Sequence, residues 1–204
     1  MKFKRNTTKI VISLAVVCFL FFSSSNITAI SNQAVVPLNI TVQGKLVITD
    51  ATSDNDSGLN PTLNLYLRLT PDLNNSIVSH SSSIRIRTNL NNWRLTAQRN
   101  NFINSTLNID EKDISLSFTT NAGSKANPNA GKLIPPFDVE TNLSQISSNN
   151  PTEILNGISK TSTDKDPTNK NNWFQLTSTY SILPDFFYGY GEFNTIVSYS
   201  LVSP

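Results

Sequence analysis

His80 stands among Ser79, Ser81, Ser82 and Ser83, which sets a histidine beside candidate nucleophiles, with Asp72 as the third member of an imaginable Ser-His-Asp relay. Such a relay needs the serine on a sharp elbow with the imidazole oriented from behind. No motif around His80 provides that, so it reads as a surface residue in a polar turn between two strands. It is the single histidine of the chain, too few for the histidine-rich sites that catalytic zinc favours. Carboxylate chemistry is the other route to catalysis, because glycoside hydrolysis needs only two acids, held about 5 Å or about 6.5–9.5 Å apart. Asp110, Glu111 and Asp113 form one candidate group; Asp138 and Glu140 form another, whose i, i+2 spacing on a strand turns both side chains to one face.

Two loops carry oxygen ligands at alternating positions, as a hard cation wants. Asp50, Asp54, Asn55 and Asp56 precede Gly58, and Asp164 and Asp166 precede Asn169. The glycine of the first falls one position early and no glutamate closes the loop; Lys165 sits inside the second. Both read as solvated acidic turns, and nothing in the sequence calls for a metal or a cofactor.

The arginines make a sharper pattern. Between Ser57 and Ile109 the chain has Arg68, Arg85, Arg87, Arg94 and Arg99 against the single acid Asp72. Arg68, Arg85, Arg87 and Arg94 occupy the polar phase of alternating segments. If those segments share a sheet, the outer face is a guanidinium-rich patch suited to carboxylate or phosphate groups of an anionic glycan. Arg85, Arg87 and Arg94, with the adjacent Trp93, are the expected ligand-binding residues; a solubilising face that discourages edge pairing is the alternative use of the same charges.

The elements that position these groups follow an N-terminal address. Lys2, Lys4, Arg5 and Lys9 precede an apolar run from Ile10 to Phe22 broken only by Ser13. The run is short for a membrane span of roughly 20 residues, and Ile27-Thr28-Ala29 follows. Residues 1–29 are therefore expected to be a secretory signal peptide cleaved after Ala29, with Ala34 as the second choice and a retained anchor as the alternative. Cys18 is the only cysteine and lies in that run, so the exported part would have no disulfide. Without the leader, twelve basic residues face fourteen acidic ones, a net charge of −2. That balance argues against nucleic acid as a partner, since phosphate binding needs concentrated positive charge.

Beyond the leader, apolar and polar residues alternate with the period of half-buried strands. The expected strands are Val36-Leu38-Ile40-Val42, Leu46-Val47-Ile48, Leu63 to Leu69, Ile84 to Arg87, Trp93 to Ala97, Ile114 to Phe118, Phe174-Gln175-Leu176, and Phe193 to Leu201. Turn formers such as Asn91-Asn92 and Asn127-Pro128-Asn129 lie between them. Only 145–158 could hold a turn or two of helix, and Pro151 interrupts it. Residues 30–204 thus predict one all-β domain, an antiparallel β-sandwich. Residues 121–172 stand out as an irregular polar excursion in which only Phe137-Asp138-Val139 and Glu153-Ile154-Leu155 look strand-like.

Trp93-Arg94-Leu95 is a Trp-x-Leu, and the chain closes with Phe193-Asn194-Thr195-Ile196-Val197-Ser198-Tyr199-Ser200-Leu201-Val202-Ser203-Pro204. Together these resemble the WxL domain of bacterial surface proteins, in which a proximal Trp-x-Leu accompanies a C-terminal aromatic, an aliphatic run, an aromatic-x-Leu and a near-terminal proline. Phe193, Ser198 and Tyr199 stand where that pattern has Tyr, Thr and Trp, and two residues rather than three separate Leu201 from Pro204. The resemblance implies a β-rich domain that sits last in an exported chain and attaches non-covalently to peptidoglycan or associated wall polymer; the expectation is therefore a non-catalytic cell-surface protein that binds wall polymer or another surface glycan, with other surface proteins as further partners and, once the leader is removed, no membrane span. Gly191 to Tyr199 is also similar to the closing strand of fimbrial and spore-coat-U-like subunits, which implies a structural subunit completed by a neighbour's N-terminal strand. A carboxylate-based glycan hydrolase is the expectation from a different class.

Overall fold

The computed structural model describes residues 40–51, 69–71, 73–74, 76–100, 108–189 and 195–204. The chain divides into Met1–Thr41, of which only the last two residues are described, and Val42–Pro204, which carries every strand among the described residues.

Among the described residues nine strands form in chain order: β1 Leu46–Asp50, β2 Val78–Thr88, β3 Trp93–Arg99, β4 Ile114–Ala122, β5 Gly131–Leu133, β6 Thr141–Asn142, β7 Thr152–Gly157, β8 Phe174–Ile182 and β9 Val197–Val202. They make a five-stranded sheet in the order β1-β2-β8-β4-β6 and a four-stranded sheet in the order β5-β7-β3-β9. Every pairing is antiparallel. The chain is all-β, a sandwich of two sheets packed on each other, and no α-helix occurs among the described residues.

The alternation predicts the burial. In β8, Phe174, Leu176, Ser178, Tyr180 and Ile182 point into the core, while Gln175, Thr177, Thr179 and Ser181 face outward. Ser178 keeps its place on the buried face because its hydroxyl bonds that of Ser82 at 3.0 Å, which satisfies both groups. Trp93 of β3 meets Phe174 of β8 edge to face, centroids 6.1 Å apart, so this contact joins the two sheets. The indole is fully buried and its Nε1 donates to the Ser159 carbonyl at 2.8 Å. A Cβ at Gly157 would run into that indole; glycine in β7 is what lets the ring lie flat on the strand.

Several expected elements are relocated. The 121–172 stretch contributes β5, β6 and β7, and Glu153-Ile154-Leu155 belongs to β7, an interior strand of the four-stranded sheet. Ile154 and Leu155 are fully buried, which outweighs the polar composition around them. Phe137, expected in a strand, is instead the buried residue of a turn. Its amide donates to the Ile134 carbonyl at 2.8 Å, and its ring meets Phe118 at 5.8 Å. The helix considered for 145–158 is a 3-10 turn at Leu143–Gln145 followed by β7. Ile40 and Val42 are exposed and outside any strand. The strand expected from Leu63 lies outside the described residues up to Arg68, and so do Phe193 and Asn194 before β9.

Candidate binding face

The expected arginine patch is divided by the fold. Ile84 and Ile86 take the inner face of β2, so Arg85 and Arg87 emerge on the outer face of the five-stranded sheet. β3 belongs to the other sheet, and the polar phase that carries Arg94 opens to the opposite side of the sandwich. Consecutive strands that cross between sheets present their outward residues to different solvent faces. Arg68 lies outside the described residues. Trp93 cannot touch a ligand at all, since packing against Phe174 leaves none of it exposed.

Each of the four described guanidinium groups, Arg85, Arg87, Arg94 and Arg99, is engaged. Arg85 Nε donates to Gln175 Oε1 at 3.4 Å, and its guanidinium lies 4.3 Å from the centre of the Trp173 ring, a cation–π contact. Arg87 donates from Nε to the Asn169 carbonyl at 3.0 Å and to Asn172 Oδ1 at 3.2 Å, and from Nη1 to Thr49 Oγ1 at 3.1 Å. Arg94 pairs with Glu153 at 3.4 Å on the exposed side of β3 and β7. Arg99 pairs with Glu111 at 2.7 Å, with only 12% of the arginine side chain exposed.

What the sheet register brings together instead is an uncharged field of hydroxyls. β8 lies between β2 and β4, and their outward residues align in rows: Ser79, Ser181 and Ser115; Ser81, Thr179 and Ser117; Ser83, Thr177 and Thr119. Ser81 Oγ lies 2.7 Å from Thr179 Oγ1, and Ser83 Oγ lies 2.7 Å from Thr177 Oγ1. The next row is Arg85, Gln175 and Asn121, with Trp173 beside it. Each hydroxyl can both donate and accept, and the cross-strand bonds fix their rotors. A single such contact nets only about 0.5–1.5 kcal/mol, so this face suits an extended ligand that engages many groups together. The period-2 serines and threonines of each strand are visible in the sequence. Their alignment across pairs 94 to 98 residues apart is not.

The acids are held by local structure. Asp113 Oδ2 accepts from the Asp110 amide at 2.8 Å, Asp110 Oδ1 accepts from the Lys112 amide at 3.1 Å, and Glu111 is the partner of Arg99. Burial first, then the charges of Asp113 and Asp185, raise the Tyr188 phenol above its ordinary value. Asp138 and Glu140 are exposed in the turn after β5, not on a strand, so their spacing does not align them. The Asp164 carboxyl is held below its ordinary value by the hydrogen bond from Lys125 Nζ at 3.0 Å. Asp166 is lowered by the Asn171 amide at 2.7 Å and by the Thr168 hydroxyl. Asp164 thus links its loop to Lys125 and Asp166 ties that loop to itself, while the first acidic loop, from Asp54 to Gly58, lies outside the described residues. No group of three or more His, Cys, Asp or Glu able to hold a metal occurs among the described residues. His80 is exposed within β2, opposite Tyr180; the turn expected at Ser79–Ser83 is a continuation of the strand, because its serines pair with β8.

The other relevant geometry is that of the two motif strands. β3 pairs with β9 so that Leu95 lies opposite Leu201 and Ala97 opposite Tyr199. No family model matches the chain, and no curated protein matches it. No helix among the described residues is long and apolar enough to cross a membrane.

Proposed function

We propose that this is a secreted, surface-associated, non-catalytic protein that binds cell-wall polymer or a related glycan, using the outer face of β2, β8 and β4. The observation that carries this reading is the pairing of β3 with β9: the Trp-x-Leu and the aromatic-x-Leu of the resembled pattern are adjacent strands in register, with Leu95 against Leu201. The hydroxyl rows, with Trp173, Gln175 and Asn121 at one end, supply groups that sugars accept: donors and acceptors in quantity and an aromatic ring. Trp93, Leu95, Tyr199 and Leu201 hold the frame; Arg85 and Arg87 are the charged groups that β2 gives to the face.

Retention on purified cell walls tests it. The chain is expected to remain bound at low salt, and Thr177→Val with Thr179→Val is expected to weaken retention by removing two hydroxyls at the centre of the rows without changing the charge. A wild-type chain that washes through at low salt overturns the proposal. Release of reducing sugar from the walls would move the assignment to a glycan hydrolase.

A further inference from the structure

β9 closes one edge of the four-stranded sheet, and among the described residues it pairs only with β3. Edge strands of soluble proteins are ordinarily blunted by lysine, proline, a bulge or an inward charge. Val197-Ser198-Tyr199-Ser200-Leu201-Val202 has none of these, and its register with β3 is unbroken. The Asn100 amide donates to the Ile196 carbonyl at 2.9 Å, and Asn100 stands opposite Ile196 in that register. By the alternation of an antiparallel ladder, Ile196, Ser198, Ser200 and Val202 turn their backbone groups toward β3, whereas Val197, Tyr199 and Leu201 turn theirs away from it.

The sequence of this edge reads alike in both directions about Tyr199. Ser198 mirrors Ser200, Val197 mirrors Leu201, Ile196 mirrors Val202 and Thr195 mirrors Ser203. Directly opposed residues of an antiparallel pair lie on the same face. A two-fold axis at Tyr199 would therefore set hydroxyl against hydroxyl and aliphatic against aliphatic on both faces. It would also join the residues whose N–H and C=O point outward: Tyr199 with its own copy, Val197 with Leu201. Ile196 is 61% and Val202 44% exposed, and this register packs each against the other.

We propose that β9 is a self-pairing edge, through which a second copy of this chain adds antiparallel across a two-fold axis at Tyr199 to make one continuous sheet. The contact is isologous, so it closes on itself as a dimer, and it does not depend on what the outer face of the other sheet binds. A pairing confined to one strand buries less than the roughly 1,200 Å² of stable interfaces, so the dimer is concentration-dependent.

The register gives a charge-swap test by sedimentation velocity on the whole chain, as processed by the cell that makes it. Ser198 and Ser200 are exposed and oppose each other across the axis. The wild type is expected to double its mass with concentration. Ser198→Lys with Ser200→Lys sets lysine against lysine and is expected to stay monomeric; Ser198→Lys with Ser200→Glu sets lysine against glutamate and is expected to restore the dimer, which also shows that a lysine at 198 leaves the fold intact. A wild type that remains monomeric at its highest soluble concentration overturns the proposal, as does a doubly lysine-substituted chain that still dimerises or a Lys/Glu chain that does not.

Discussion

The Tyr180 hydroxyl lies 3.0 Å from the Tyr199 hydroxyl, and this bond spans the sandwich, since Tyr180 belongs to β8 and Tyr199 to β9. Burial raises both phenols, Tyr180 well above 10.0, with the neighbouring tyrosine adding to the effect at Tyr180. The neutral forms are thus the ones the fold selects. In the unfolded chain a tyrosine ionises near pH 10, so the stabilisation is fully present below that pH and is lost as pH rises through the higher folded values. Urea midpoints are expected to be flat from neutral pH to about pH 9 and then to fall. Tyr199→Phe is expected to cost about 1–3 kcal/mol at neutral pH by leaving the Tyr180 hydroxyl short of a partner, and to make the alkaline fall shallower.

The Gly157 to Trp93 approach predicts a pair of linked losses. Gly157→Ala is expected to destabilise by about 1–3 kcal/mol through overpacking, and Trp93→Ala by about 3–5 kcal/mol through the cavity it leaves. In the double variant the two costs should not add, because removing the indole frees the space that the methyl needs. Urea denaturation of the four chains measures the coupling; strict additivity would mean that the two residues do not compete for one volume.

Arg99 and Glu111 are a mostly buried ion pair, and Arg99 Nε has no hydrogen-bond partner among the described residues. Glu111→Gln removes the charge that compensates the guanidinium and is expected to cost about 1.5–3 kcal/mol. Arg94 and Glu153 lie open to solvent, and Glu153→Gln is expected to change stability by under about 1 kcal/mol. Thermal unfolding at low and moderate salt separates the two, because only the exposed pair is screened.

Trp173 and Arg94 lie on opposite faces, so wall binding should distinguish them. Trp173→Ala is expected to reduce retention by removing the ring beside the hydroxyl rows, while Arg94→Ala leaves retention unchanged. Equal losses in both variants would mean that binding follows total charge or stability rather than one face.

Period-2 alternation made β2, β3, β4 and β8 legible as strands, and with them the all-β class, because a half-buried strand must alternate wherever one face is core. β7 was less legible: its two fully buried residues, Ile154 and Leu155, are adjacent and sit in a polar tract, so neither composition nor period reveals that it is an interior strand. His80 among its serines reads as a turn because serine clusters favour turns, yet pairing with β8 extends the strand through them.

By itself the sequence determined which residues of its alternating segments face outward, Arg85, Arg87 and Arg94 among them. Only the tertiary structure decided which of those residues meet. Sending β3 to the other sheet parted Arg94 from Arg85 and Arg87, and pairing β8 with both β2 and β4 assembled hydroxyls from distant strands into one field. The reason is that alternation is a local property of a strand, whereas sheet membership and register come from burying all the apolar faces against one another at once.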